Sequence, residues 1–322
     1  VSIISRDFGK YVIMKILITG GSGMVGSAFK NIDTMHDLIL IGSLECDLTD
    51  YQSTIATIDE HNPDAIIHLA ARVGGVKGNS DYVADFYSDN IRINTNVLLA
   101  AHSLGVRKVL SLLSTCIYPD NAIYPLTEDQ IHNGAPHQSN FGYAYAKRML
   151  EVQSRAYRQQ YGSNFITAVP NNLFGEHDNF DLENGHVIPA IIRKVYEAKQ
   201  SGSDIVLWGD GTPLREFTYS KDLAKILLFL LERYDRIEPI NVGNTNEYSI
   251  KDIAMTIADI LDYQGNIVWD TSKPKGQMRK PSDNSKLLNM GWNKEEYSDF
   301  KTSLEKTCQW FSNNYPNVRG VK

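Results

Sequence analysis

The first clear hydrophobic signal along the chain is Lys15-Ile16-Leu17-Ile18-Thr19, which stops at glycines and gives way to apolar positions at helical spacing over 24–32. A short apolar run that breaks at Gly and passes into a 3.6-residue period predicts a strand, a turn and a helix. The alternation recurs. Strands are expected over Asp37–Ile41, 64–69, 108–113 and 165–169, with a long helix over 83–104 and another near 142–161. Strands and helices alternating over about 150 residues predict an α/β fold built on a doubly wound parallel sheet, with ligands at the carboxyl ends of its strands.

After Pro170 the rhythm changes. Gly, Asn, His and Asp crowd 171–185, followed by a helix near 188–198, a strand over Ile205–Trp208 and the loop Gly209-Asp210-Gly211-Thr212-Pro213. Helical stretches over Ser220–Arg233, 249–261 and 304–313 complete a smaller, mixed second half. The expected division is a dinucleotide-binding domain over 14–170, to which later segments can return, and a mainly substrate-binding α/β domain over 171–322. Residues 1–13 read as an extension ahead of the first strand. No internal repeat or low-complexity tract is present.

Composition narrows the partners. The 32 basic and 38 acidic residues, net −6, supply no basic field for a nucleic-acid backbone or an anionic membrane, so any phosphate must be held by local devices. No segment approaches the roughly 20 apolar residues that span a bilayer. Three scattered cysteines, Cys46, Cys116 and Cys308, make neither a disulfide framework nor a Cys-rich zinc site. With no secretory signal visible, the expectation is a cytoplasmic protein without a bound metal.

The candidate chemistry begins at the first turn. In Gly20-Gly21-Ser22-Gly23-Met24-Val25-Gly26, glycines at three-residue spacing follow a strand and open a helix, which lets the backbone approach a pyrophosphate. An NAD-preferring site places an acid about 20 residues on, at the end of the second strand. Here that strand ends Leu40-Ile41-Gly42-Ser43, which favours NADP(H), although no arginine there evidently grips a 2′-phosphate and Glu45 and Asp47 weigh the other way. Asp47, ahead of Leu48, either meets the adenine or is a solvated loop acid. Further along, Tyr143 and Lys147 stand four apart on one helical face, where the cation can favour phenolate. Ser114 closes the fourth strand, where its hydroxyl can share a carbonyl oxygen with Tyr143. Taken singly, these are also what helix neighbours and turn residues look like; the order and separations bind them together.

These features, with Ser-Thr-Cys-Ile-Tyr-Pro at 114–119 and Tyr-Ala-Tyr-Ala-Lys at 143–147, resemble the extended short-chain dehydrogenase/reductase family, whose members act mainly on nucleotide-sugars. Pro-Asn-Asn-Leu-Phe-Gly-Glu-His-Asp-Asn-Phe at 170–180, Gly-His-Val-Ile-Pro at 185–189 and Trp-Gly-Asp-Gly-Thr-Pro-Leu-Arg-Glu-Phe at 208–217 narrow the resemblance to the GDP-L-fucose synthases. That resemblance implies a Rossmann-type dinucleotide domain and epimerisation of GDP-4-keto-6-deoxy-D-mannose at C3 and C5, followed by hydride transfer from NADPH to C4. It implies Cys116 and His186 as the proton-moving pair. It further implies that the dinucleotide is bordered by Leu69, Ala70, Ala71, Leu112, Leu113, Pro170, Asn171, Asn172, Leu173 and His186. Asn172, Lys194, Trp208 and Arg215 would contact the GDP-sugar. Read without it, Cys116 is a small buried hydrophobe, His186 a solvated loop residue, Lys194 a helix-face cation, Trp208 a core anchor and Arg215 a loop ion-pair partner. A homodimer through the long helices is implied as well. One departure stands out: Lys275 occupies a loop position where the family usually has an acid.

Two other readings share parts of this pattern. An NAD-dependent nucleotide-sugar 4-epimerase or 4,6-dehydratase uses the same fold, but a dehydratase would carry Asp-Glu where this chain has Cys116-Ile117. A non-catalytic dinucleotide sensor would need neither Tyr143 nor Lys147.

Overall fold

The computed structural model describes residues 13–273 and 278–321. The expected extension at 1–13, apart from Ile13, and the departure at Lys275 lie outside the described residues.

β1 (Lys15–Thr19) runs through the glycine turn into α1 (Met24–Ala28), then come β2 (Asp37–Ile41), α2 (Tyr51–His61) and β3 (Ala65–His68). α3 (Val76–Asp81), α4 (Val83–Ser103), β4 (Lys108–Leu112), α5 (Phe141–Tyr161) and β5 (Asn164–Pro170) follow. The second half holds β6 (Asn172–Phe174), α6 (Val187–Ser201), β7 (Ile205–Trp208), β8 (Leu214–Tyr219), α7 (Ser220–Arg233), β9 (Ile240–Val242) and β10 (Glu247–Ser249). It ends with α8 (Ile250–Ile260), β11 (Ile267–Asp270), α9 (Ser285–Asn289) and α10 (Phe300–Asn314).

Six strands form one parallel sheet in the order β2-β1-β3-β4-β5-β9. Ile16, Leu17 and Ile18 are all fully buried, as are Ala65, Ile66 and Ile67, because helices cover both faces. One face packs Val25, Leu223 and Leu227 from α1 and α7; the other packs Ile58, Val97, Leu98 and Leu150 from α2, α4 and α5. From β1 the chain first steps outward to β2, then crosses back to β3 on the other side. The winding direction therefore reverses between β1 and β3, which is where open α/β sheets leave a crevice for a ligand.

The second lobe has its own core around Phe174, Phe180, Ile191, Ile192, Ile257 and Phe311. Here the structure adds strands to what the pattern predicted. β6 and β8 pair in parallel inside stretches read as loop and motif, and β10 pairs antiparallel with β8. β11 pairs with β7. The expected helix over 24–32 is shorter, passing into a 3₁₀ turn at Phe29–Asn31. The lobes are stitched by buried polar groups. Glu216 of β8 accepts from Ser282 N at 3.0 and 3.1 Å and from Asn171 Nδ2 at 3.3 Å, while inside the first lobe Tyr118 donates at 2.6 Å to Asn241 Oδ1 on β9. Among the described residues no helix is long and apolar enough to cross a membrane.

Candidate functional site

The glycine turn is built by close approach. Gly20 has φ +74°, and a Cβ there would stand 2.9 Å from Ala70 N, just past β3. A Cβ on Gly21 would lie 2.7 Å from Leu40 Cβ, and one on Gly26 would meet Gly20 O and stand 2.6 Å from Gly21 Cα. Side chains are thus excluded at three points, leaving a backbone-walled cradle at the reversal point of the sheet. Gly21 N donates to Ile41 O at 2.7 Å and Ser27 N to Gly23 O at 2.8 Å, which fixes the turn between β1 and β2. Ser22 faces solvent, whereas Val25 and Leu48 are buried. Asp47 is exposed, and hydrogen bonds from the hydroxyl and N–H of Thr49 hold its carboxyl below the usual range.

Beneath the cradle runs a buried chain that the sequence pattern did not disclose. Thr19 Oγ1 lies 2.8 Å from His68 Nδ1, and His68 Nε2 lies 3.1 Å from Asn94 Oδ1 on α4. Asn94 Nδ2 then donates to Ala146 O on α5 at 3.4 Å. Burial, helped by the charge of Lys147, lowers the His68 pKa to about 3, so the ring is a neutral strut at physiological pH. It ties the glycine turn to the helix carrying Tyr143 and Lys147. Only an unusual polar residue inside an apolar strand could have pointed to it.

At the carboxyl end of β4, Leu112 and Leu113 are buried and Ser114 caps a 3₁₀ turn, accepting from Cys116 N at 3.4 Å. Lys147 is almost wholly buried and donates to Leu112 O at 2.7 Å, so α5 and β4 meet at this charge. Burial lowers its pKa to about 8. Tyr143 stands edge-on to Phe86, with centroids 6.4 Å apart. The expectation that Lys147 would lower the Tyr143 pKa is not what this arrangement gives: burial pushes the phenol up, with the charge of Cys116 adding to it. Burial likewise raises the Cys116 thiol, against a hydrogen bond from Ser114 and the charges of Lys280 and Lys147. Lys280, unnoticed in the sequence because it lies so far along the chain, donates to Thr115 O at 3.1 Å.

At and past the end of β5, Pro170 and Asn171 are buried, Leu173 is half-buried and Asn172 is exposed. The Asn171 side chain is engaged by the fold, donating to Asn244 O at 2.7 Å and accepting from Thr218 Oγ1 at 2.7 Å. Asn172 Nδ2 donates to Glu216 O at 2.9 Å. Leu69, Ala70 and Ala71 are half-buried beyond β3. His186 is exposed at the head of α6. Near it Asp178, only 4% exposed, has one buried carboxylate oxygen with no hydrogen-bond partner among the described residues. Burial raises its pKa, while His186 and Arg319 pull it back. Lys194 on α6 donates to Val206 O at 2.9 Å, two residues before Trp208. Trp208 is not a core anchor: it is 64% exposed, with Lys273 Nζ 5.8 Å from its ring centroid. Arg215, half-buried in β8, donates to Leu214 O at 2.7 Å.

A doubly wound parallel sheet with a glycine cradle at its reversal point, Ser114 just past β4, and Tyr143 and Lys147 on α5, is the architecture of a Rossmann-type short-chain dehydrogenase/reductase. The chain belongs to the NAD dependent epimerase/dehydratase family, whose model matches residues 16–243. Its likeness within that family is to enzymes of GDP-sugars. It is 42% identical to the GDP-L-fucose synthase of Dictyostelium discoideum over 94% of this chain and 97% of that protein. It is 38% identical to the GDP-L-colitose synthase of Yersinia pseudotuberculosis over 94% of this chain and all of that one. A crystal structure of a GDP-L-fucose synthetase from Naegleria fowleri bound to NADP superposes with a TM-score of 0.88 at 39% identity, covering 96% of this chain and 97% of that one.

Proposed function

We propose that the protein converts GDP-4-keto-6-deoxy-D-mannose to GDP-L-fucose, epimerising C3 and C5 and then reducing C4 with NADPH. The observation that carries this reading is Cys116 one short turn beyond Ser114, in a chain similar along nearly its whole length to GDP-L-fucose synthases. Ser, Tyr and Lys alone suit a carbonyl reductase; a sulfur beside them adds the means of moving a proton from carbon next to the carbonyl.

The turn of Gly20, Gly21 and Gly26 fits a dinucleotide, since a Cβ at any of the three would collide with the neighbouring chain at Ala70, Leu40 or Gly20 and push apart the close backbone turn that would receive the pyrophosphate. Residues 20–26, 69–71 and 112–114 would line it, with Pro170 to Leu173 at the nicotinamide end. When bound, NADPH supplies the hydride delivered to C4. Tyr143 gives its phenolic proton to the C4 oxygen, Ser114 donates a hydrogen bond to the same oxygen, and Lys147 holds positive charge beneath them. Cys116, as the thiolate favoured by the charges of Lys280 and Lys147, takes the proton from C3 or C5 and becomes the thiol, leaving an enolate whose charge rests on the C4 oxygen, and His186, as the imidazolium, returns a proton to the opposite face. Lys194 and Arg215 would meet the diphosphate and Trp208 the nucleoside. The same reading gives a cytoplasmic homodimer paired through α4 and α5, with the cofactor held mainly by 14–170 and the sugar nucleotide mainly by 171–322.

The test is to mix the purified protein with NADPH and GDP-4-keto-6-deoxy-D-mannose, follow nicotinamide absorbance and identify the product by NMR. Formation of GDP-L-fucose is expected. An unepimerised 6-deoxy sugar would mean a plain 4-reductase, and no oxidation would overturn the reading.

A further inference from the structure

The turn that leaves β2 carries a carboxylate where a 2′-phosphate would need a cation. Gly42 directly follows the strand, and its N–H donates to Glu45 Oε2 at 2.8 Å. Glu45 N and Cys46 N donate back to Gly42 O at 3.3 and 3.1 Å, so the turn folds the glutamate over the strand end. The glycine cradle stands opposite. A Cβ on Gly42 would lie 2.7 Å from Ser22 Oγ and 3.0 Å from Glu45 Oε2, so hydroxyl and carboxylate flank one point at the carboxyl end of β2. Neither 20–26 nor 41–48 contains a lysine or arginine. The tip of the turn is Leu44, 97% exposed.

In a doubly wound sheet, an acid at the end of the second strand accepts the adenosine ribose 2′-hydroxyl, while an arginine there accommodates a 2′-phosphate. A phosphate monoester carries roughly −1.5 to −2 charges near neutrality, and a carboxylate beside it disfavours its binding. We propose that Glu45 is the coenzyme-selecting residue of this chain, its carboxylate receiving the ribose 2′-hydroxyl, so that the protein takes NAD(H) alongside NADP(H). The strand end read alone as free of acid is supplied with one from four residues further on, through the turn. This inference rests on the reading of 20–26 as a dinucleotide cradle and is independent of which sugar is turned over.

Direct titration calorimetry of the full chain with NADP⁺ and with NAD⁺ tests it without any sugar. Kd values within about tenfold of one another are expected. Glu45→Gln, which keeps an oxygen acceptor for Gly42 N–H, should tighten NADP⁺ and weaken NAD⁺ so that their ratio moves at least tenfold. Leu44→Lys, which places a cation at the tip without touching that hydrogen bond, should move the ratio the same way. NADP⁺ bound more than a hundredfold tighter by the unsubstituted protein, or a ratio unmoved by both substitutions, overturns the proposal. Binding of neither coenzyme overturns the cradle reading and this proposal with it, whereas the expected ratios without sugar turnover leave this proposal standing and remove the substrate assignment.

Discussion

Lys147 is a cation kept where charge is costly, and two opposite pH trends follow. Its pKa of about 8 means that the ammonium held on Leu112 O is lost as pH rises through that value. Reduction, followed as kcat/KM, should therefore fall above about pH 8, and Lys147→Arg, which keeps its charge, should lose that alkaline limb. Stability moves the other way. The folded pKa lies below the ordinary lysine value of 10.5, so the unfolded chain binds more protons between the two, and the penalty of the buried charge is relieved as pH rises. The difference in denaturant midpoint between Lys147→Met and the unsubstituted protein should accordingly shrink from pH 7 to pH 10.

Separable defects are expected at the neighbouring groups. Cys116→Ser should suppress solvent-deuterium exchange into the sugar by roughly 10²- to 10⁴-fold, while Tyr143→Phe blocks hydride transfer and leaves exchange largely intact. Identical defects would end that division of labour. Ser114, Tyr143 and Lys147 were legible because their positions relative to strand ends imply one edge of a sheet. Asp178 and Lys280 were not, since burial and an unpaired oxygen belong to tertiary packing, and an acid or lysine in a long loop carries no periodic mark.

Elements show the same boundary between pattern and packing. β1, β3 and β4 announced themselves because both faces are covered and each is built on a buried apolar run, Ile16-Leu17-Ile18, Ala65-Ile66-Ile67 and Val109-Leu110, and α7 did so through a broad stripe of leucines. α2 passed unnoticed: only Thr54 and Ile58 of its 11 residues are buried, so its period is faint. Its start is set by Asp50, whose carboxylate accepts from Ser53 N at 2.7 Å. Asp50→Ala should cost about 1 kcal/mol of unfolding free energy in a denaturant titration, with coenzyme affinity unchanged. β6 and β8 were hidden because three- and six-residue strands that pair with each other look, residue by residue, like loops rich in functional motifs. At α1 the constraint is steric. Gly26→Ala would press a methyl against the Gly20 carbonyl and the Gly21 backbone, so dinucleotide affinity should drop at least tenfold in the same calorimetric assay and stability by about 1–3 kcal/mol.

At the scale of the whole molecule, the sequence indicated two halves, and the chain crosses between them more than once. β9 lies beside β5 although the six-residue β8 and the helices α6 and α7 intervene, and α7 then packs against α1. Glu216 and Asn241 bind the halves through polar groups with little or no exposure, so a clean cut at 170 would strand several buried donors and acceptors. A fragment ending at Phe174 should show neither cooperative thermal unfolding nor coenzyme binding; a folded, binding fragment would make the first half autonomous.

The place of β9 also matters while the chain is being made. About 70 residues separate Pro170 from Ile240, so at synthesis rates of roughly 5–20 residues per second the edge of β5 waits for several seconds on the ribosome before its neighbour emerges. For that interval the nascent sheet offers an open, apolar rim to any passing strand. Demand for a chaperone should thus peak at one definable length of nascent chain, and a ribosome pause placed before β9 has emerged should lower the soluble yield more than the same pause placed after it has emerged.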